Sequence, residues 1–159
     1  HNKLYLNEAG RSGADRSFVE IGYLMGVASE FDSRGVIDMD IDADGRVDLL
    51  FGEWSGKPPR ERIHVMRNTW PGDNNWIGVH LRGKGGISPI ASRITLRSPR
   101  GARRQWVYIG ESLDAQRSTT RHFGLGQLDR IEAIEVRWPG GRVTTLADPE
   151  LNRYHVITP

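Results

Sequence analysis

The stretch DMDIDADGRVDLLFGE, residues 38–53, gathers five aspartates around Gly45 and then turns apolar. Carboxylates this close repel one another without a cation among them. Asp40, Asp42 and Asp44 alternate, Gly45 follows, and Asp48 closes the pattern DxDxDGxxD. Alternate carboxylates around a tight glycine turn converge on one point, which is how oxygen cages for hard divalent cations are built. Calcium suits such a cage better than magnesium, because it takes roughly six to eight oxygens in a flexible shell while magnesium keeps its waters. The expected ligands are the carboxylates of Asp40, Asp42, Asp44 and Asp48 and the backbone carbonyl of Arg46 at the seventh loop position.

An EF-hand begins in the same way but needs a carboxylate at position twelve. Counted from Asp40, that position is Phe51, and Val47, Leu49, Leu50 and Phe51 read as a strand where an EF-hand needs a helix. The EF-hand is excluded. A solvated acidic turn without metal is the remaining alternative.

The rest of the chain sets the frame for this loop. With 159 residues and 37% hydrophobic content it can bury one moderate core or two small ones, and no run is apolar enough to predict a membrane helix. Nineteen glycines, eight prolines and short Val/Ile/Leu runs without sustained helical periodicity predict an all-β fold with many turns. The absence of cysteine removes disulfides as a source of stability without naming a compartment. The first residue is His1, which suggests a processed or truncated chain, and the expected location is secreted or at the cell surface. Charge is unevenly spread. Residues 1–74 carry 9 Lys/Arg against 13 Asp/Glu, a net of −4, and residues 75–159 carry 13 against 7, a net of +6. That break, with the turn-forming PGDN at 71–74, predicts two units, residues 1–70 and 71–159.

In the first unit, strands are expected at 2–7, 18–21, 36–39, 47–52 and 63–68, roughly one four-stranded antiparallel blade, with a turn-rich loop at 10–15. NKLYLN, FVE, RGVIDMDIDADGRVDLLFGE and HVMRN together resemble the FG-GAP or VCBS-type repeat. The resemblance implies a blade of a calcium-binding β-propeller, with ligands at Asp40, Asp42, Asp44, the Arg46 carbonyl and Asp48, and Asp38 outside the motif. Propellers have about four to eight blades, so a single blade leaves apolar faces bare. Something must cover them: preceding blades of the same polypeptide, a partner chain, the second unit or another copy.

The second unit alternates more cleanly. Ile77, Val79 and Leu81 oppose Trp76, His80 and Arg82, while Ile94 with Leu96 and Ile134 with Val136 mark further strands with one buried face. Another strand is expected at 103–109 and a last one at 154–158, and Pro139-Gly140 fits the centre of a type II turn between strands 130–138 and 142–146. Six or seven strands make a small sandwich or barrel. NWIGVHLRG, PIASRITL, HFGLG and IEVRWPGGRVTTL resemble the ASPIC/UnbV domain, which commonly follows FG-GAP repeats. Where that family has Ile-Gly-Ala before its second strand, this chain has Ile90-Ala91-Ser92.

Other chemistry is thinner. Ser112, Asp114 and His122 supply a hydroxyl, a carboxylate and an imidazole, but GESLD lacks the last glycine of a GxSxG elbow and its strand-to-helix setting. Arg93, Arg97, Arg100, Arg103 and Arg104 form either a polyanion site or a solvated basic face, and no nucleic-acid motif accompanies them. Trp54, Trp70 and Trp76 are core residues or carbohydrate or protein contacts. The sequence thus reads as an extracellular, calcium-stabilised β module for binding, adhesion or assembly. The rivals are an enzyme or biosynthetic accessory of the UnbV type and a self-assembling subunit whose unfinished blade the next copy completes.

Overall fold

A computed structural model describes residues 1–9, 16–58, 61–110 and 112–159. The loop expected at 10–15 lies outside the described residues, as do 59–60 and 111. All described regular structure is β. Strands β1 (Tyr5–Ala9) and β2 (Arg16–Glu20) form an antiparallel pair, and β3 (Asp32–Met39), β4 (Asp48–Trp54) and β5 (Glu61–Met66) form a three-stranded antiparallel sheet in that order.

The four-stranded blade expected for the first unit is therefore not formed among the described residues. The cause lies between β2 and β3. Residues 22–26 coil into a turn in which the Met25 and Val27 amides donate to the Ile21 and Gly22 carbonyls, so β1 and β2 pair only with each other. Within β3, Gly35 takes φ +65° at a register shift, a bulge that bends the strand against the second unit, where an added Cβ would strike the Leu113 carbonyl.

The second unit matches the sandwich expectation and is not a closed barrel. Strands β6 (Asn75–Leu81), β7 (Arg93–Ser98), β8 (Gly101–Trp106), β9 (Thr120–Gly126), β10 (Ala133–Arg137), β11 (Val143–Ala147) and β12 (Tyr154–Ile157) make two sheets, ordered β11-β10-β7-β8 and β12-β6-β9. Ile77, Val79 and Leu81 on one inner face meet Ile94, Leu96, Ile134 and Val136 on the other, all at most 1% exposed. The predicted turn is present: Gly140 has φ +84° and the Gly141 amide donates to the Trp138 carbonyl at 3.0 Å, joining β10 to β11.

Burial separates the units. The hydrophobic core cluster lies entirely within residues 77–157, whereas Val27 and Phe51 are the only buried hydrophobic residues described in the first unit. Tyr23, Leu24 and Ile63 there are 88%, 82% and 78% exposed, so the first unit depends on what it leans against.

Candidate metal site and the cleft beside it

The acidic loop joins β3 to β4 and is held by its own carboxylates. Asp40 accepts the amides of Asp44 and Gly45 at 3.1 and 2.9 Å, Asp44 accepts that of Arg46 at 2.8 Å, and Asp48 accepts those of Ile41 and Asn68 at 2.9 and 2.7 Å. Each bond turns a backbone donor inward and draws the carboxylates together. Gly45 has φ +87°, and an added Cβ there would lie inside the Trp76 indole, so the position requires glycine twice over.

The loop brings together oxygens of Asp40, Asp42 and Asp48, all within 4.8 Å of one another, with Asp48 only 1% exposed. Two oxygens opposed on one calcium at about 2.3–2.6 Å stand roughly 4.6–5.2 Å apart, so these three fit a single ion as a hard-oxygen donor set. Asp44 stands outside that group. The Arg46 amide holds its carboxyl below the usual range against a smaller effect of burial, helped by the Arg46 guanidinium, which pairs with it. Arg67 reaches Asp42 at 2.7 Å and Asp44 at 3.5 Å, supplying positive charge at the loop's rim. Asp38 turns away to pair with Arg117 of the second unit.

The loop docks on the outer face of the β12-β6-β9 sheet. Tyr154 donates its hydroxyl to Asp40 at 2.7 Å, and burial followed by that bond pushes the phenol pKa upward. Trp76, expected on a polar face, is 8% exposed because the loop covers it, and it stacks on His122 with ring centroids 5.3 Å apart. Burial lowers the His122 pKa, opposed by the Asp40 carboxylate and the Gly45 backbone. None of these contacts is legible from motif spacing. The one signal is Gly78, a glycine inside a strand, where a Cβ would collide with the Tyr154 ring.

Beside the loop lies a cleft of about 970 Å³, between β3, the β12-β6-β9 sheet and the end of β8. His80, Thr120, His122 and Tyr154 line its floor, and Arg104, Trp106 and Tyr108 stand along the β8 side. Ser112 is not among its walls: its hydroxyl accepts the Val36 amide at 2.9 Å and lines a separate cavity of about 230 Å³. Ser112 and His122 thus belong to different cavities.

The arginine cluster divides. Arg97 pairs with Glu135 through two bonds of 2.6 and 2.9 Å, Arg93 lies over the Trp106 ring at 5.8 Å, and Arg103 donates to the Gly124 carbonyl on β9 at 2.5 Å. Arg100 sits exposed in the β7–β8 turn, and Arg104 is exposed beside the cleft. Trp54 and Trp70 are 45% and 60% exposed. Among the described residues no helix is long and apolar enough to cross a membrane.

Residues 86–159 match the family described as ASPIC and UnbV. Over 132 residues, 80% of this chain, the sequence is 31% identical to cartilage acidic protein 1 of Xenopus tropicalis and 29% identical to the proteins of that name from Mus musculus and Homo sapiens. The chain spans 20% of the length of each of these relatives. Strand β6, central in its sheet, precedes the matched segment, so the sandwich is larger than the family match. Residues 86–159, within the second unit, thus match the ASPIC and UnbV family, and the chain is similar to cartilage acidic protein 1.

Proposed function

We propose that the chain is an extracellular, calcium-stabilised β module that binds or assembles with other molecules, and that its calcium is structural. The observation that carries this reading is the convergence of Asp40, Asp42 and Asp48 oxygens on one point in the loop that fastens the first unit to the second. An ion there offsets the repulsion of the three carboxylates and fixes the loop that Trp76 and Tyr154 grip. The FG-GAP-like sequence of the loop and the word cartilage in the relatives' name both agree with a calcium-rich extracellular setting. The ligand set extends to Asp44 and the Arg46 carbonyl when calcium displaces the Arg46 guanidinium from Asp44. The bare apolar surface of the first unit, around Tyr23, Leu24 and Ile63, is the face for a protein partner, further blades or another copy.

The test is thermal unfolding with calcium and with chelator. A ligand at 100 times its dissociation constant stabilises the folded state by about 2.7 kcal/mol, so saturating calcium raises the melting temperature and chelation reverses the rise. Asp42→Ala abolishes the response. Identical melting curves in calcium and in chelator overturn the reading.

A further inference from the structure

We propose that the cleft between the acidic loop and the end of β8 binds an acidic oligosaccharide. This rests on the reading of the chain as a binding module and names its ligand class. The first argument is the wall. Trp106 and Tyr108 are each 47% exposed, their rings stack 6.4 Å apart at 23°, and Arg93 lies over Trp106, so two flat apolar surfaces are held ready beside a cavity. Exposed, braced aromatics of this kind are suited to the apolar ring faces of sugars.

The second argument is the floor. His80 Nδ1 and the Thr120 hydroxyl bond each other at 2.8 Å, and Tyr154, its hydroxyl given to Asp40, lines the same surface, so the floor is polar and suits a ligand rich in hydroxyls. A pocket with an apolar wall and a few polar groups fits ligands that carry both characters, and at about 970 Å³ this one has room for more than a single sugar ring. The third argument is charge. Asp38 is spent on Arg117, and Asp40 accepts bonds from Asp44, Gly45 and Tyr154. Arg104, also on the cleft, makes no hydrogen bond or ion pair among the described residues, which leaves a guanidinium for a carboxylate or sulfate on the ligand.

The probes are a six-sugar oligomer of alternating glucuronate and N-acetylglucosamine, and neutral chitohexaose, titrated by calorimetry into the whole chain in calcium. The acidic hexasaccharide binds saturably and at least tenfold tighter than the neutral one. Trp106→Ala and Arg104→Gln each weaken binding by tenfold or more while the melting curve stays cooperative, and Arg100→Gln, on the same basic stretch but away from the cleft, leaves it unchanged. No binding, equal binding of both sugars, or equal losses at Arg100 and Arg104 overturns the proposal. Failure here leaves the calcium-dependent melting intact, whereas failure of the calcium reading removes that dependence and leaves the titration readable.

Discussion

At the scale of single residues, the departure Ile90-Ala91-Ser92 has a structural meaning that the sequence could flag but not explain. Ala91 has φ +66°, a left-handed conformation that disfavours any side chain with a Cβ, and it is exposed, so the glycine of the family pattern serves backbone conformation and not close packing. Its neighbour Ser92 is fully buried, and its hydroxyl has no hydrogen-bond partner among the described residues. Both positions are therefore suboptimal for stability. Ala91→Gly relieves strain of roughly 1 kcal/mol, less what the glycine adds to the freedom of the unfolded chain. Ser92→Ala removes a buried, unpaired hydroxyl whose burial costs about 1–3 kcal/mol. The double substitution is expected to raise the melting temperature by several degrees in differential scanning calorimetry, at about 2–4 °C per kcal/mol for a chain of this size. A fall in melting temperature on Ser92→Ala would show that the hydroxyl has a partner such as a buried water.

At the scale of elements, the sandwich has an open seam that side chains close. Among the described residues the edge strands β8 and β9 are not joined by a backbone ladder, yet Arg103 donates to the Gly124 carbonyl, Gln105 to that of His122 at 3.0 Å, and Arg121 to those of Trp106 and Tyr108 at 2.9 and 2.5 Å. Arg121, 5% exposed, also donates to the Ser118 and Thr120 carbonyls at 3.1 and 2.8 Å. An arginine suits this work because its five donors spread in a rigid fork. Arg121→Met removes these bonds from the seam and is expected to lose about 3 kcal/mol or more, read as a lower urea midpoint. Arg103→Ala, on an exposed residue, is expected to lose under about 1 kcal/mol. Similar losses for the two would deny Arg121 its role at the seam.

This seam also marks how far the sequence could be read. Strands with an apolar inner face, such as β6 with Ile77, Val79 and Leu81, announce themselves by alternation, and the Pro139-Gly140 turn by its chemistry. Pairing between distant strands leaves no such periodic mark. The parallel lie of β12 on β6 and the passage of Arg103 to the opposite sheet depend on tertiary contacts, as does the failure of β2 to join β3. The acidic loop shows the same division: its carboxylate spacing was legible, but its docking on Trp76 and Tyr154, more than 30 residues further along the chain, was not.

At the scale of the whole molecule, the two units are unequal partners. The second has a continuous core from Ile77 to Ile157, while the first buries little and holds on through Asp38–Arg117, Val36 to Ser112, Tyr154 to Asp40 and the Trp76 ring against Gly45. Stability in the first unit is then largely borrowed from the interface, and Gly45 is where the interface is most exacting. Gly45→Ala forces a Cβ into the indole at a φ of +87°, so the loop must leave Trp76 or distort. Calorimetry of the unaltered chain in calcium is expected to show one cooperative transition. In Gly45→Ala it is expected to divide, the first unit melting several degrees below the second, whose transition stays near its original temperature because its core is untouched. A single transition displaced as a whole would mean that the units share their cooperativity through contacts other than the acidic loop, chiefly Asp38–Arg117 and Val36 to Ser112, and that the loop is a passenger on an interface made elsewhere.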